Sequence, residues 1–150
     1  MIGWELLGWA GIYGAAVLGI IGSMIGLTRA GQAATGAMLD VDSGFGRLIA
    51  IAGMPASQGI YGIVLTLTLN RPITADNAAA LAAIGLLGGL AQLAGAWLQG
   101  ECCAAAILVA KSKPEAFGLS IAPAAFVEGF TVFALAFALL LVQTVPGGGG

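Results

Sequence analysis

Histidine is absent from the 150 residues, which removes the side chain most used for acid–base work near neutral pH and for metal ligation. Charge is scarce as well. Asp, Glu, Lys and Arg together make up 8% of the chain, where a water-soluble domain carries about 25%. The two cysteines, Cys102 and Cys103, are adjacent inside an apolar run, a spacing that suits neither a disulfide framework nor a zinc site. No Gly-x-x-x-x-Gly-Lys-Ser/Thr loop occurs, so the chain is expected to have no catalytic nucleotide site of its own. A formal charge of −2 and a pI near 4.7 give no reason to expect nucleic acid as a partner.

What is present is hydrophobic. Apolar residues are 59% of the chain, with 25 glycines and a mean hydropathy of +1.02. Too little polar material remains to face water on all sides, so a bilayer is the expected solvent. Disorder is expected only in the tail, Gly147 to Gly150. Apolar stretches at 4–28, 48–69, 78–110 and 119–145 each reach the ~20 residues that cross a bilayer core. The start, Met1-Ile2-Gly3-Trp4-Glu5, lacks the basic residues of a cleavable leader and reads as part of a retained helix. The expected fold is therefore an all-α membrane protein of four transmembrane helices, arranged as two tandem hairpins over 1–74 and 75–150. Arg29, Arg47, Lys111 and Lys113 flank the first and third connections. The positive-inside bias places those loops in the cytoplasm and both termini outside. A faint repeat fits the tandem layout: Phe45-Gly46 and Phe117-Gly118 each open a span, followed by Pro55 or Pro123 and then by Gln58 or Glu128.

Small residues recur at Gly8, Gly11, Ala15, Gly19, Gly22 and Gly26, and again at Gly85, Gly88, Gly89, Ala91, Gly95 and Ala96. Steps of three and four put such residues on one helical face, where they let membrane helices approach closely. Against this background the intramembrane polar residues stand out. A carboxylate at a helix centre costs about 2.5–3.5 kcal/mol on insertion scales, which makes Glu128 the foremost functional candidate. Gln58, beside Ser57, lies in the second span and Gln99 in the third. Counted from the nearest cytoplasmic end at about 1.5 Å per residue, Gln58, Gln99 and Glu128 all fall roughly 13–18 Å deep. Three polar groups from three spans at one height read as one site. Gln92, seven residues before Gln99, reads as a packing residue.

The chemistry of that set points to a cation. Glu128 brings charge, Gln58 and Gln99 bring amide oxygens, and Ser57 brings a hydroxyl, an all-oxygen set that suits a hard ion such as Na⁺. Pro55 lacks an N–H, so it should kink the second span and free a carbonyl. Tyr61 lies near Gln58 on its helix and can donate a hydrogen bond to Glu128. The alternative is H⁺, since a buried carboxyl can be neutralised by a proton as well as by a metal ion. Two glutamines, a serine and a tyrosine exceed what a proton needs, which favours Na⁺.

Several stretches carry a resemblance. They are Gly22-Ser23-Met24-Ile25-Gly26 with Gly31-Gln32-Ala33-Ala34, Pro55-Ala56-Ser57-Gln58-Gly59-Ile60-Tyr61-Gly62, Gln99-Gly100, Lys113-Pro114-Glu115 and Phe126-Val127-Glu128. Together they resemble the proteolipid (K or c) subunit of V-type and A-type rotary ATPases, most of all its sodium-translocating branch. The resemblance implies Na⁺ held by Glu128, by the side chains of Gln58, Gln99 and Ser57, and by the backbone carbonyl of Met54, with Tyr61 bonded to Glu128. It also implies a homo-oligomeric ring around membrane lipids, central-stalk subunits linking it to a cytoplasmic ATPase head, and a stator subunit with an essential arginine. Ser57 stands where threonine is usual and Met54 where leucine is common. Glu101 is an unusual residue at its position, expected to face the ring interior or to pair with Arg29. A reading from another class is a small four-helix multidrug exporter. That fold keeps its glutamate in the first helix, where Glu5 lies too near the end to serve.

Overall fold

The computed structural model describes residues 3–147. Met1 and Ile2, expected to open a retained helix, and 148–150 of the glycine tail lie outside the described residues. Among the described residues all regular structure is helical: α1 (Gly3–Ala37), α2 (Phe45–Ala52), α3 (Ser57–Leu69), α4 (Ala78–Ser112), α5 (Phe117–Ser120) and α6 (Ala122–Val142). A 3₁₀ turn at Met54–Ala56 joins α2 to α3, and another at Pro114–Ala116 precedes α5. Four helical stretches, Gly3–Ala37, Phe45–Leu69, Ala78–Ser112 and Pro114–Val142, are long and apolar enough to cross a bilayer. The chain is an integral membrane protein.

The first helix runs nine residues past the expected end at 28. Hydropathy falls at Arg29, but alanine is the best helix former, and Ala30, Ala34 and Ala37 remain buried. They pack against Leu48 and Ile51 of α2 and Cys103, Ala106 and Ile107 of α4. The connection from α1 to α2 correspondingly shrinks to 38–44. Its last residue, Gly44, has φ +83°, a conformation that only glycine adopts at no steric cost. At 35 residues each, α1 and α4 are about 52 Å long and exceed a hydrocarbon core of about 30 Å.

These two helices form the tightest pair in the fold. The small-residue faces meet backbone to backbone: a Cβ added at Gly85 would strike the Gly11 carbonyl, and one at Gly100 would strike the backbone of Gly26. Further along, Gly22 abuts the backbone of Leu93. Contact this close replaces the hydrophobic drive that lipid cannot supply. The α3 helix is seated on α1 by a side chain. Thr66 Oγ1 accepts from Ala16 N at 3.0 Å and donates to Ile12 O at 2.6 Å, so its hydroxyl is threaded into the hydrogen-bond ladder of α1. The α6 helix packs on α3 and α4 and leaves Phe126, Phe130, Phe133 and Phe137 exposed along its outer side.

Charge gathers at one end of the bundle. Lys111 pairs with Asp40, Arg29 Nε lies 3.2 Å from Glu101 Oε1, and the Arg47 guanidinium sits 5.3 Å above the Phe117 ring. Of the two places expected for Glu101, the structure gives it the pairing with Arg29. At the opposite end, Arg71 donates to the Val145 carbonyl at 3.0 Å.

Candidate functional site

The site begins with the break in the second span. Pro55 cannot donate a helical hydrogen bond, and α2 stops at Ala52. After the 3₁₀ turn, α3 restarts at Ser57, whose backbone N–H bonds the Met54 carbonyl. Ser23 of α1 secures the restart from the side, its Oγ accepting from Gly59 N at 2.8 Å. The fourth span is interrupted in the same manner: α5 ends at Ser120 and α6 begins with Pro123 in its first turn. Both breaks lie a few residues before the key polar side chain, Gln58 in α3 and Glu128 in α6.

All six candidate residues converge. The half-buried Glu128 carboxylate accepts from four side chains. Oε2 receives Ser57 Oγ at 2.8 Å, Gln58 Nε2 at 2.9 Å and Gln99 Nε2 at 2.8 Å. Oε1 receives the Tyr61 hydroxyl at 2.5 Å. Gln58 Nε2 also lies 3.0 Å from Gln99 Oε1, and Gln99 Nε2 also donates to the Ala124 carbonyl at 3.1 Å. Both glutamines are fully buried, with 0% of their surface accessible. An ionised carboxylate has only acceptors to offer, and every side chain bonded to it here presents a hydrogen.

Ser57 is the hub of a second feature. Its Oγ lies 2.8 Å from Glu128 Oε2, 3.1 Å from the Met54 carbonyl and 3.2 Å from Gln58 Oε1. A hydroxyl carries one hydrogen, so it bonds one of these three oxygens fully and faces the others with lone pairs. Such a cluster, richer in oxygen than in protons, is the donor set that a hard cation satisfies.

Two residues of the cluster are not among the candidates that the sequence offers, and Gln92 packs beside them. Thr131, one turn beyond Glu128, is 4% exposed; its Oγ1 lies 3.2 Å from Gln58 Nε2. Ser23 appeared only as part of a small-residue stretch. The i+3 step from Glu128 was the available signal for Thr131, but an apolar-helix threonine that bonds its own backbone looks ordinary. Gln92, read as packing, donates from Nε2 to the Thr131 carbonyl at 3.1 Å.

Comparison with known proteins follows the same lines. Residues 82–141 match the family of the ATP synthase C subunit, a segment that holds Gln99 and Glu128. The A-type ATP synthase subunit K of Methanocaldococcus jannaschii is 32% identical over 142 residues, covering 91% of this chain and 64% of that protein. The chain thus spans somewhat under two thirds of that relative's length. The V-type sodium ATPase subunit K of Enterococcus hirae is 28% identical over 139 residues, 85% of each chain.

Proposed function

This chain is a relative of the proteolipid (K or c) subunits of V/A-type ATPases, and from that premise we propose that it is a rotor-ring subunit that carries Na⁺ across the membrane on Glu128. The ligands are the Glu128 carboxylate, the side-chain oxygens of Gln58, Gln99 and Ser57, and the Met54 carbonyl. Tyr61 holds the far carboxylate oxygen and does not touch the ion. The observation that carries this reading is the excess of oxygens over hydrogens around Ser57 Oγ, since a metal ion relieves that surplus in a way that one added proton does not.

The transport logic follows from charge. With Na⁺ bound, the pair is neutral overall and crosses lipid-facing sectors of the rotation at tolerable cost; the bare carboxylate waits at the cation of a stator subunit, its essential arginine. Many copies form a ring around lipid, and central-stalk subunits couple that ring to a cytoplasmic ATPase head. The chain adds no nucleotide chemistry of its own. The two hairpins divide near residue 74, and only the second brings a carboxylate to the mid-membrane cluster, so each chain carries one ion. The cluster of Arg29, Arg47 and Lys111 at one end of the bundle favours a cytoplasmic setting for that end, with both termini outside.

The deciding experiment is carbodiimide labelling of Glu128 in purified rings at fixed pH. Na⁺ is expected to protect the carboxyl in a concentration-dependent way, while K⁺ at equal ionic strength does not. Equal labelling with and without Na⁺ would assign the site to H⁺. A companion variant bears on the geometry. Tyr61→Phe removes the donor to Glu128 Oε1 and leaves the ring in place, so the Na⁺ concentration for half-protection should rise by about tenfold. An unchanged value would exclude the Tyr61 hydroxyl from the site's function.

A further inference from the structure

A glutamine amide has two ends of similar shape and opposite character: an oxygen that binds cations and an NH₂ that repels them. Whether Gln58 serves as a cation ligand therefore depends on which way round it sits. The structure contains a device that decides this. Thr131 Oγ1 donates its only hydrogen to the Glu128 carbonyl, one turn back in α6, at 2.8 Å. What it has left to offer is lone pairs, and it lies 3.2 Å from the Gln58 amide. Turning that amide over would set oxygen against oxygen at Thr131, at Gln99 Oε1 and at Glu128 Oε2 together. With NH₂ toward those three acceptors, Gln58 Oε1 faces Ser57, on the Met54 side of the cluster.

Thr131 is itself held fast. It is 4% exposed, Gln92 Nε2 of α4 bonds its carbonyl at 3.1 Å, and its methyl fills the space that a Cβ on Gly95 would need. We infer that Thr131 is a positioning residue for ion selection: its hydroxyl, spent as a donor on its own helix, acts as a fixed acceptor that keeps the Gln58 carbonyl oxygen aimed at the cation. The inference deepens the proposed Na⁺ function and rests on it for the identity of the ion.

Thr131→Val keeps the shape and removes the acceptor, while Thr131→Ser keeps the hydroxyl and removes the methyl against Gly95. Two readouts on purified rings separate the possibilities: the Na⁺ concentration that half-protects Glu128 from carbodiimide, and the side-chain amide ¹⁵N resonance of Gln58 in isotopically labelled rings without Na⁺. The expected result is a five- to tenfold higher half-protecting Na⁺ concentration in Thr131→Val, with a shifted amide resonance and both readouts near wild type in Thr131→Ser. Wild-type behaviour of Thr131→Val in both readouts would overturn the inference. So would impairment of Thr131→Ser equal to or greater than that of Thr131→Val, which would make the methyl packing the important feature. Should wild-type rings show no protection by Na⁺, the sodium reading falls by itself, and the amide resonance of the two variants still decides the role of Thr131.

Discussion

Glu128→Gln is expected to abolish coupled ion transport while the protein still folds and assembles. The substitution removes the one negative charge in the site and changes little else. Four donors converge on Glu128, and an amide that turns its oxygen toward Ser57, Gln58 and Gln99 still satisfies three of them. Its NH₂ then meets the Tyr61 hydroxyl, which accepts as readily as it donates. Fold and packing thus survive, but a cation among neutral oxygens in a low-dielectric setting lacks a countercharge. Reconstituted complexes whose rings bear Glu128→Gln throughout should show ATP-driven ²²Na⁺ uptake at background, with normal ring migration on native gels. Undiminished uptake by fully substituted rings would remove Glu128 from the transport path.

Much of this arrangement can be read in the residues themselves, for a physical reason. A polar side chain in hydrocarbon is costly enough to be rare, so Gln58, Gln99 and Glu128 are conspicuous, and a helix's fixed rise converts their positions into one depth. Pro55 and Pro123 mark the interruptions of the second and fourth spans because a missing N–H is a local property. Ser57 and Met54 are less visible: a serine in a helix and the carbonyl of an apolar residue are unremarkable until α3 and α6 are placed side by side. Thr131 and Ser23 were hidden for the same reason, since each acts on a residue far along the chain. Hydropathy does not give the full length of α1, Gly3–Ala37, because it reports where lipid ends. Helix continues wherever alanines find a surface, and Ala30, Ala34 and Ala37 find one on α2 and α4.

A single methyl at Gly85 is expected to harm the protein as severely as the loss of the carboxylate harms transport, but by disrupting the fold. The Cβ of Gly85→Ala would strike the Gly11 carbonyl and its neighbouring backbone atoms, and main chain in the middle of a helix has no rotamer into which to retreat. Overpacking a well-filled interior costs about 1–3 kcal/mol when side chains can yield; against backbone the cost should exceed that range. The helices must separate, and α4 carries Gln99 next to Gly100, which itself rests on Gly26 of α1. A wedge at Gly85 therefore pries at the same seam that sets the distance from Gln99 to Gln58. Gly31→Ala is the matched control, because that position in α1 has nothing within 4 Å of a new Cβ, and alanine there should be neutral or stabilising by about 0.5–1 kcal/mol. Thermal unfolding of detergent-solubilised rings should show a large loss for Gly85→Ala and none for Gly31→Ala. Any Gly85→Ala rings that survive should also need more Na⁺ to protect Glu128. Equal midpoints for the two variants would mean that α1 and α4 do not meet backbone to backbone, and the site built across them would need another scaffold.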